Sequence, residues 1–589
     1  ILCRSSFEID DGKVCAGDQV LDRRHDRLRP VFLPCGEALA RSLVYGNRKI
    51  AELRGGLKTP GRGSDVCWIP DVFGYANCLP QILKLGGVGR FYTTKIAWSS
   101  ISRFPYTSFV WRGADGSEVL THLATTDYNG SVELARHERC LSQHRQSDVH
   151  PEMLFGTGYG DGGGGMTEAM CERARRLKNL AGAAKHEWTT SEPFFDRLEK
   201  VRNELPVYQG ELYLEYHRGV QTSQSEYKRL YRACEIALQA HEAIRVADGG
   251  APLGEDAWLR TLFGQFHDAL PGSSIGLVYK QLNAEYEQVV KRELDATADE
   301  LSRGEGRGAL VFNPLPLPRS VVVDHGNKQP VLLDLPAVGT ARWPQKAEAE
   351  THDRRIRKAT TTLLDNGHVS AGFDRKGQLA TMSSDGVTLP LTGSEGFVLY
   401  HDQPHAYDAW DIDHYTNTTG ERVADSLKLE LVEDTPVRAT LRGHAKIGAS
   451  SELSVSYTLE AGSRHLRIEA EVDWREDSRL LRYAVPTSLR GRNAIYGSPF
   501  GSIRRPQVPG VQRDEAMWEN PGSRWVAVTD EAEFGVALVT EAKYGFTSRD
   551  GLLQVSLLKA PKFPDPNADL GRHRIRIALG QYQAETRGD

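Results

Sequence analysis

The spacing of apolar residues changes twice along this 589-residue chain, and this double change most constrains its fold. Over residues 1–205, short apolar runs lead into loops with polar and glycine residues, and helical stretches such as MTEAMCERARRLKNLAG lie between them. This alternation predicts a parallel α/β architecture, in which functional groups gather at the carboxyl ends of the strands.

Residues 206–302 carry helical patterns instead. In SQSEYKRLYRACEIALQAHEAIRVAD the apolar residues recur every three or four positions, and Thr222 and Ser223 are candidates for the N-cap. Two further helical stretches follow, so we predict a three-helix bundle. After the Gly- and Pro-rich segment SRGEGRGALVFNPLPLPRS, residues 303–589 alternate apolar and polar positions, which predicts one or two β-sandwiches.

Charge and composition exclude two classes of protein. The formal net charge is -5 with no long run of one sign, so a nucleic-acid binder is not expected. No run approaches the ~18 apolar residues of a membrane span, so we expect no membrane partner. All eight cysteines lie in the first 234 residues without a CxxC pair, which favours the reduced thiols of a cytosolic protein.

The first candidate site is the segment WIPDVFGY, where an apolar strand ends at Asp71. Phe73 follows two residues later. A carboxylate beside aromatic rings suits a sugar, because the rings cover the C–H face of a pyranose and the carboxylate reaches its hydroxyls or its anomeric carbon. The alternative is that Asp71 caps the next helix.

The second candidate is GYGDGGGG, in which four glycines follow Asp161 and let the backbone approach a ligand closely. No Lys-Ser/Thr pair follows, so this is not a Walker A phosphate loop. A flexible surface loop is the alternative.

The third candidate is QFHDALPGS, a His267–Asp268 pair at a helix end. Imidazole is a common zinc ligand, and the neighbouring carboxylate can bind substrate or orient the ligand. A simple surface pair is the alternative reading of this motif.

Together these segments resemble one family. WIPDVFGYANCLPQIL, TTKIAW, GYGDGGGG, GELYLEYHRGVQTSQSEYK and QFHDALPGSSI are similar, in order and spacing, to the core of the glycoside hydrolase family 38 α-mannosidases. YDAWDIDHY and SLLKAPKFPDPNADLGRH extend the similarity over about residues 33–589. The resemblance is greatest to the cytosolic and vacuolar branch. It implies a (β/α)-barrel-like catalytic domain over 1–205, followed by a helical bundle domain and one or more β-sandwich domains.

The resemblance also implies residue roles. Asp71 would be both the catalytic nucleophile and a metal ligand, and Asp161 the general acid/base. His267 would be the second metal ligand, while Phe73 and Asp268 would contact the sugar. The implied cofactor is Zn²⁺, with Co²⁺ as the alternative.

The start of the chain departs from the family pattern. The family takes two further zinc ligands from a His-x-Asp motif, and this sequence contains none. His25–Asp26 is not assigned as a replacement, because no apolar strand presents it. We therefore expect the N-terminal region of the catalytic domain to be missing or altered, and the metal to be weakly held.

The function implied is retaining, metal-assisted exo-hydrolysis of terminal α-linked mannose from oligosaccharides in the cytoplasm, with the vacuole as the alternative location. A catalytically defective homologue that binds sugar without turnover is the main competing hypothesis. A carbohydrate-binding or structural module based on the β region alone is the third. Mannose-containing oligosaccharides are the expected partners, and homo-oligomerisation stays open.

Overall fold

The computed structural model describes residues 8–10, 13–15, 32–55, 65–125, 128–161, 164–303, 309–326, 328–343, 354–393, 396–423 and 427–584. The chain divides into two compact units. The first unit contains Ile1–Tyr216 together with two later segments, Gln265–His267 and Ser498–Ile503. The second unit contains the rest of the chain.

The first unit combines short strands with helices. Its strands are β1 (Glu8–Asp10), β2 (Lys13–Cys15), β3 (Val66–Trp68), β4 (Arg90–Thr93), β5 (Ser108–Arg112), β6 (Glu118–Leu123) and β7 (Val207–Gln209). Its helices are α1 (Gly36–Gly55), α2 (Leu79–Leu85), α3 (Leu134–Ser142), α4 (Glu168–Leu177) and α5 (Ser191–Glu199).

One five-stranded sheet with the order β3-β4-β6-β5-β7 organises the first unit. The pairs β3–β4, β4–β6 and β5–β7 are parallel, whereas β5 and β6 form an antiparallel hairpin. The prediction of strands in the first 205 residues is confirmed for β3, β4 and β6. The sheet is mixed rather than wholly parallel, since β5 and β7 run opposite to β3, β4 and β6.

Helices cover this sheet through one continuous apolar cluster. Val66, Tyr92 and Leu120 of the sheet are buried together with residues of the helices, among them Cys140 of α3 and Phe194 of α5. The polar α4 still contributes, because Met170, Ala174 and Leu177 recur at helical spacing on its buried face. This core holds the carboxyl ends of β3 and β4 in fixed positions.

Three helices occupy the start of the second unit: α6 (Ser225–Ala247), α7 (Glu255–Phe263) and α8 (Gly276–Ser302). The rings of Tyr227 and Tyr286 stack between α6 and α8 with centroids 5.4 Å apart, and His241 Nδ1 lies 2.6 Å from Glu293 Oε2 further along. All three helices were predicted from the sequence, but α7 ends at Phe263, so the His267–Asp268 pair lies in the turns that follow the helix rather than at its end.

The N-cap predicted at Thr222 or Ser223 is wrong. The N-cap of α6 is Gln224, in the left-handed region with φ 60°. Its backbone N–H and that of Ser225 donate to the carboxylate of Asp569, at 2.9 and 2.6 Å. The helix start is therefore satisfied by a side chain distant in sequence.

The rest of the second unit is built from β-strands with one short helix, α9 (Gln512–Ala516). The strands are β8 (Leu310–Asn313), β9 (Arg319–Val323), β10 (Val331–Leu335), β11 (Gly339–Arg342), β12 (Lys358–Thr360), β13 (Leu363–Asp365), β14 (Val369–Phe373), β15 (Leu379–Ser384), β16 (Val387–Thr388), β17 (Gly396–His401), β18 (Glu421–Arg422), β19 (Glu430–Asp434), β20 (Arg438–Ile447), β21 (Ser451–Glu460), β22 (His465–Trp474), β23 (Arg479–Pro486), β24 (Asn493–Ser498), β25 (Gly501–Pro506), β26 (Asn520–Pro521), β27 (Trp525–Thr529), β28 (Phe534–Thr540), β29 (Gly545–Arg549), β30 (Leu552–Lys559) and β31 (Gly571–Gln583).

Two large sheets dominate this β region. One has nine strands in the order β19-β20-β21-β22-β31-β28-β27-β24-β25, and the other has six in the order β18-β17-β23-β30-β29-β26. In β21 and β22 the buried positions alternate with partly exposed ones, which is the pattern that predicted strands here. A five-stranded sheet, β12 to β16 in sequence order, and two two-stranded sheets, β9–β10 and β8–β11, complete the region.

Candidate active site

The segment WIPDVFGY leaves β3 along a path fixed by β4. The Trp68 ring stacks on Tyr92 with centroids 3.7 Å apart. Just past the strand, Thr94 donates two hydrogen bonds to Pro70 O, from its backbone N–H at 3.3 Å and from its hydroxyl at 2.9 Å. Because Pro70 is tied to the end of β4, Asp71 emerges from a rigid strand end. Asp71 does not cap a helix, since the N-cap of α2 is Cys78.

The far side of Asp71 is fixed by Gly74 and Tyr75. Gly74 has φ +105°, and a Cβ there would lie 2.5 Å from the ring of Phe32, so glycine is required. Tyr75 and Leu212 exchange two backbone hydrogen bonds, at 2.8 and 2.9 Å, and the Tyr75 hydroxyl donates to Ile69 O at 2.8 Å. The loop that presents Asp71 is thus clamped on both sides.

Asp71 lies between two nitrogen groups. Its Oδ1 is 2.5 Å from Lys95 Nζ, and its Oδ2 is 3.2 Å from His267 Nε2. The side chains are 17%, 5% and 15% exposed for Asp71, Lys95 and His267. The structure therefore brings together two of the residues predicted from sequence, Asp71 and His267.

Aromatic rings surround the Lys95 ammonium. It lies 3.8 Å from the ring centroid of Trp98, 5.4 Å from that of Phe73 and 5.5 Å from that of Tyr128. Phe73, the predicted sugar-contacting residue, is buried and meets the His267 ring edge to face at 6.0 Å. These rings lower the local polarity and strengthen the ion pair with Asp71.

The charge state of Asp71 follows from its neighbours. Burial by itself raises the pKa of the carboxyl, but the hydrogen bond to His267 and the Lys95 ammonium together outweigh burial. The net result is a pKa below the ordinary value for an aspartate. Asp71 is therefore a carboxylate at neutral pH, as a nucleophile or a metal ligand must be.

The donor set offers part of a metal site. The 3.2 Å between His267 Nε2 and Asp71 Oδ2 is close to the ~3.3 Å that separates two ligands of one tetrahedral zinc ion at usual bond lengths. In the part of the chain that the structure describes, however, no three His, Cys, Asp or Glu side chains converge. Since zinc sites use at least three protein ligands, the described residues alone do not fit a complete site. His25 and Asp26 lie outside the described residues.

Asp161 is held by a second loop of the first unit. Asn129 Nδ2 donates to Asp161 Oδ2 at 2.8 Å, and the Asp161 backbone N–H donates to Asn129 Oδ1 at 2.8 Å. The carboxylate is exposed, as an acid/base residue that meets substrate would be. The loop closes through Tyr159 N–H to Gly165 O at 3.1 Å, and a Cβ on Gly164 would lie 2.8 Å from Tyr159 Cβ, so glycine is needed there.

Asp268 belongs to the second compact unit, although it follows His267 directly. The Ser273 hydroxyl donates to Asp268 Oδ1 at 2.7 Å, and the Tyr279 hydroxyl donates to Asp268 O at 2.9 Å. These bonds fix the loop that carries the predicted sugar-contacting carboxylate.

Three residues of this region were not singled out from the sequence. Lys95 lies in TTKIAW, where a lysine at the end of an apolar strand is a usable signal. Asn129 has no such signal. The same holds for Glu215, a buried carboxylate that accepts from the backbone N–H groups of Ile101 and Ser102 at 2.6 and 3.0 Å and so fixes the loop after Trp98.

Family models match most of the chain. The Glycosyl hydrolases family 38 N-terminal domain matches residues 31–211, the Alpha mannosidase middle domain matches 215–303, and the Glycosyl hydrolases family 38 C-terminal domain matches 364–567. With a mixed α/β unit, a helical middle segment and large β-sheets, this chain belongs to glycoside hydrolase family 38.

Two curated relatives are similar to this chain in sequence, and one solved structure is similar to it in fold. Alpha-mannosidase 2C1 of Mus musculus is 32% identical over 578 residues, covering 93% of this chain and 55% of that protein. Alpha-mannosidase of Saccharomyces cerevisiae is 28% identical over 603 residues, covering 95% and 53%. The crystal structure of an alpha-mannosidase from Enterococcus faecalis V583 has a TM-score of 0.77 at 13% identity, covering 95% of this chain and 78% of that one, which supports the fold. The chain spans about half the length of these curated relatives.

Proposed function

We propose that this chain is the catalytic part of a retaining α-mannosidase that removes terminal α-linked mannose from oligosaccharides. The observation that carries the proposal is the partly buried, ionised Asp71 between Lys95 and His267, presented by a clamped strand end in a family 38 chain. The curated relatives matched above are named as α-mannosidases, which supports mannose as the sugar.

The proposed chemistry uses two carboxyl groups. Asp71 attacks the anomeric carbon and forms a glycosyl ester, while Asp161 gives its proton to the departing glycosidic oxygen. A water molecule then gives a proton to Asp161 and its hydroxide to the anomeric carbon, which releases Asp71. Double displacement of this kind retains the anomeric configuration. Phe73 and Asp268 are the proposed sugar contacts.

The proposal includes zinc, or cobalt, with Asp71 and His267 as its ligands from recognisable motifs. Such an ion would supply a Lewis acid for the 2- and 3-hydroxyls of the sugar, which would favour the axial 2-hydroxyl of mannose. The two described ligands support this part by their type and separation, but not by their number.

The finer assignments of fold, location and partners are also proposed. They comprise a barrel-like closure of the first unit, a bundle of α6, α7 and α8, and β-sandwich packing of the large sheets. The domain boundaries remain 1–205, 206–302 and 303–589. We propose the cytoplasm as the location, with the vacuole as the alternative. No helix in the described residues is long and apolar enough to cross a membrane.

The test compares three chromogenic substrates with one leaving group: 4-nitrophenyl α-mannoside, β-mannoside and α-glucoside. We expect turnover of the α-mannoside alone, and ¹H NMR should show α-mannose as the first-formed product. Equal turnover of the α-glucoside would contradict recognition of an axial 2-hydroxyl, and β-mannose as first product would contradict retention. The competing hypothesis, a homologue that binds sugar without turnover, predicts saturable mannoside binding and no release of nitrophenol.

A further inference from the structure

Three aromatic side chains form an exposed group in the second compact unit. They are Tyr407 and Trp410 from the YDAWD segment and Phe563 from the KFPDP segment. The Tyr407 and Trp410 centroids are 6.4 Å apart, and those of Trp410 and Phe563 are 6.2 Å apart. Tyr407 is 44% exposed and Phe563 is 64% exposed, so large apolar surface faces solvent. We call this group the aromatic platform.

Hydrogen bonds hold the two segments of the platform together. Asp408 Oδ2 accepts from the backbone N–H groups of Lys562 and Phe563, at 2.5 and 3.2 Å, and the Ala409 backbone N–H donates to Phe563 O at 3.2 Å. The rings therefore do not depend on a ligand for their arrangement, and a ligand would meet a surface that is already formed.

A third segment of the chain also holds the aromatic platform in place through backbone hydrogen bonds. The backbone N–H groups of Gly219 and Val220 donate to Trp410 O, at 2.7 and 3.2 Å. The buried ring of His217 lies 6.0 Å from that of Tyr407 with the planes 35° apart. The His217 ring thus lies beside the Tyr407 ring, while Tyr407 stays 44% exposed.

The backbone of Tyr407 is strained. Its φ is +59°, in the left-handed region that side-chain-bearing residues other than Asn and Asp rarely adopt. Two hydrogen bonds to Tyr407 O, from the backbone N–H groups of Trp410 and Asp411 at 2.8 and 2.9 Å, hold this conformation. Backbone strain of this kind concentrates at ligand-binding sites, because folding alone would favour a glycine here.

We infer that the aromatic platform binds a pyranose ring of a mannose-containing oligosaccharide, and the choice of sugar rests on the proposed function. Flat aromatic rings present an apolar face, and the C–H face of a pyranose is the part of a sugar that such a ring can cover. Lys562, the residue directly before Phe563, is a charged group that pairs with Asp477.

The test measures sugar binding in the full chain carrying Asp71→Asn, so that turnover does not consume the probe. The probes are an α-linked mannotriose and methyl α-mannoside, measured by calorimetry and saturation-transfer NMR. Tyr407→Gly removes the ring and suits the left-handed backbone, and Phe563→Ala removes the most exposed ring. We expect each variant to raise the Kd for mannotriose at least fivefold, and Tyr407→Phe to restore it to within twofold.

The matched control is Phe263→Ala at the end of α7. Phe263 is also an exposed phenylalanine, with 71% exposure, but it is not part of the aromatic platform. Its mannotriose Kd should not change. Unchanged mannotriose affinity in folded Tyr407→Gly and Phe563→Ala proteins would overturn the inference, as would no binding of mannotriose to the parent. Analytical ultracentrifugation tests whether a second copy of the chain covers the aromatic platform instead. The platform would be a subunit interface if the parent forms dimers, both variants are monomers, and the affinity for the sugar is unchanged. Failure of the proposed function is seen separately, as absence of nitrophenyl α-mannoside turnover by the unmutated chain.

Discussion

Asn129 holds Asp161 through two reciprocal hydrogen bonds of 2.8 Å. The Asn129 side-chain amide donates to the Asp161 carboxylate, and the Asp161 backbone N–H donates to the Asn129 amide oxygen. A single asparagine side chain therefore fixes both the position of the loop and the direction of an exposed carboxylate. The carboxylate that we propose as the acid/base group is therefore held in one direction, and proton transfer to a bound substrate depends on such positioning.

Asp161→Asn should separate substrates by leaving group. Substrates with poor leaving groups need full protonation of the departing oxygen, so we expect their kcat/KM to fall by about 10²–10⁴-fold, whereas a dinitrophenyl α-mannoside should lose much less. Steady-state kinetics with a series of aryl α-mannosides measures this. Equal losses for all members would move the acid/base role to another residue. Asn129→Ala should give a weaker loss of the same pattern.

Asp71→Asn should abolish turnover and leave the chain folded. The kcat should fall by more than about 10³-fold, because the covalent step needs the carboxylate. Asn keeps an oxygen for Lys95, but the buried ammonium loses its counter-charge, so we expect a loss of about 1–3 kcal/mol of stability. Thermal unfolding followed by circular dichroism, alongside the rate assay, checks both expectations. Rates within tenfold of the unmutated chain would rule Asp71 out as the nucleophile.

Zinc or cobalt should bind the chain weakly. Asp71 and His267 are two donors, and the described residues add no third to them, so water would occupy the remaining positions and the metal would exchange readily. We expect less than one equivalent of metal after dialysis and a shallow calorimetric titration that His267→Ala abolishes. One tightly held equivalent of zinc together with α-mannoside turnover would refute this, and His25 and Asp26 would then be the first candidates for the missing ligands.

The His137–His186 pair should make the first unit sensitive to acid. Their Nδ1 and Nε2 atoms are 2.8 Å apart, and burial, followed by the charge of His186, lowers the pKa of His137 to about 4. The unfolded chain takes up this proton near pH 6.5 and the folded chain only near pH 4. The contribution of His137 to the free energy of unfolding is therefore fully present above pH 6.5. It is lost as the pH falls through this window, by up to about 2 kcal/mol at pH 5.

Urea unfolding at pH 7.5 and pH 5.0 measures the effect. The free energy of unfolding should differ less between pH 7.5 and pH 5.0 in His137→Gln than in the unmutated chain. The control His405→Gln, which removes an exposed imidazole, should leave the difference as it was. An unchanged pH difference in His137→Gln would show that His137 does not carry the acid sensitivity.

The sequence pattern alone was sufficient to predict the helices and strands in which buried residues recur at a regular spacing. Strands β21 and β22 alternate strictly, and helix α6 keeps an apolar stripe over its length, so both were predictable. The stretch LFGTG is an apolar run that leads into a glycine loop, yet it forms none of the strands β1 to β31, and its Leu154 and Phe155 belong to the buried core. The cap of α6 was missed since its acceptor, Asp569, is 345 residues from Gln224.

The candidate site was predictable where a motif carries its own chemistry. Asp71 and His267 were chosen from their motifs, and the structure places them in contact. Lys95 was missed because its role depends on the parallel pairing of β3 with β4, which brings TTKIAW beside the loop after Trp68. Long-range pairing is a tertiary property, and a single sequence does not reveal it.

The first unit contains two segments that come late in the sequence, Gln265–His267 and Ser498–Ile503. The Ser498 hydroxyl donates a hydrogen bond to Asn77 Oδ1 at 2.7 Å, and Asn77 Nδ2 donates one to Ser502 O at 3.2 Å. A ribosome makes Asn77 early and Ser498 very late, so the Asn77 side chain meets these hydrogen-bond partners only after most of the chain has been translated. A shortened N-terminal piece that stops before Ser498 would lack both of these hydrogen bonds to Asn77.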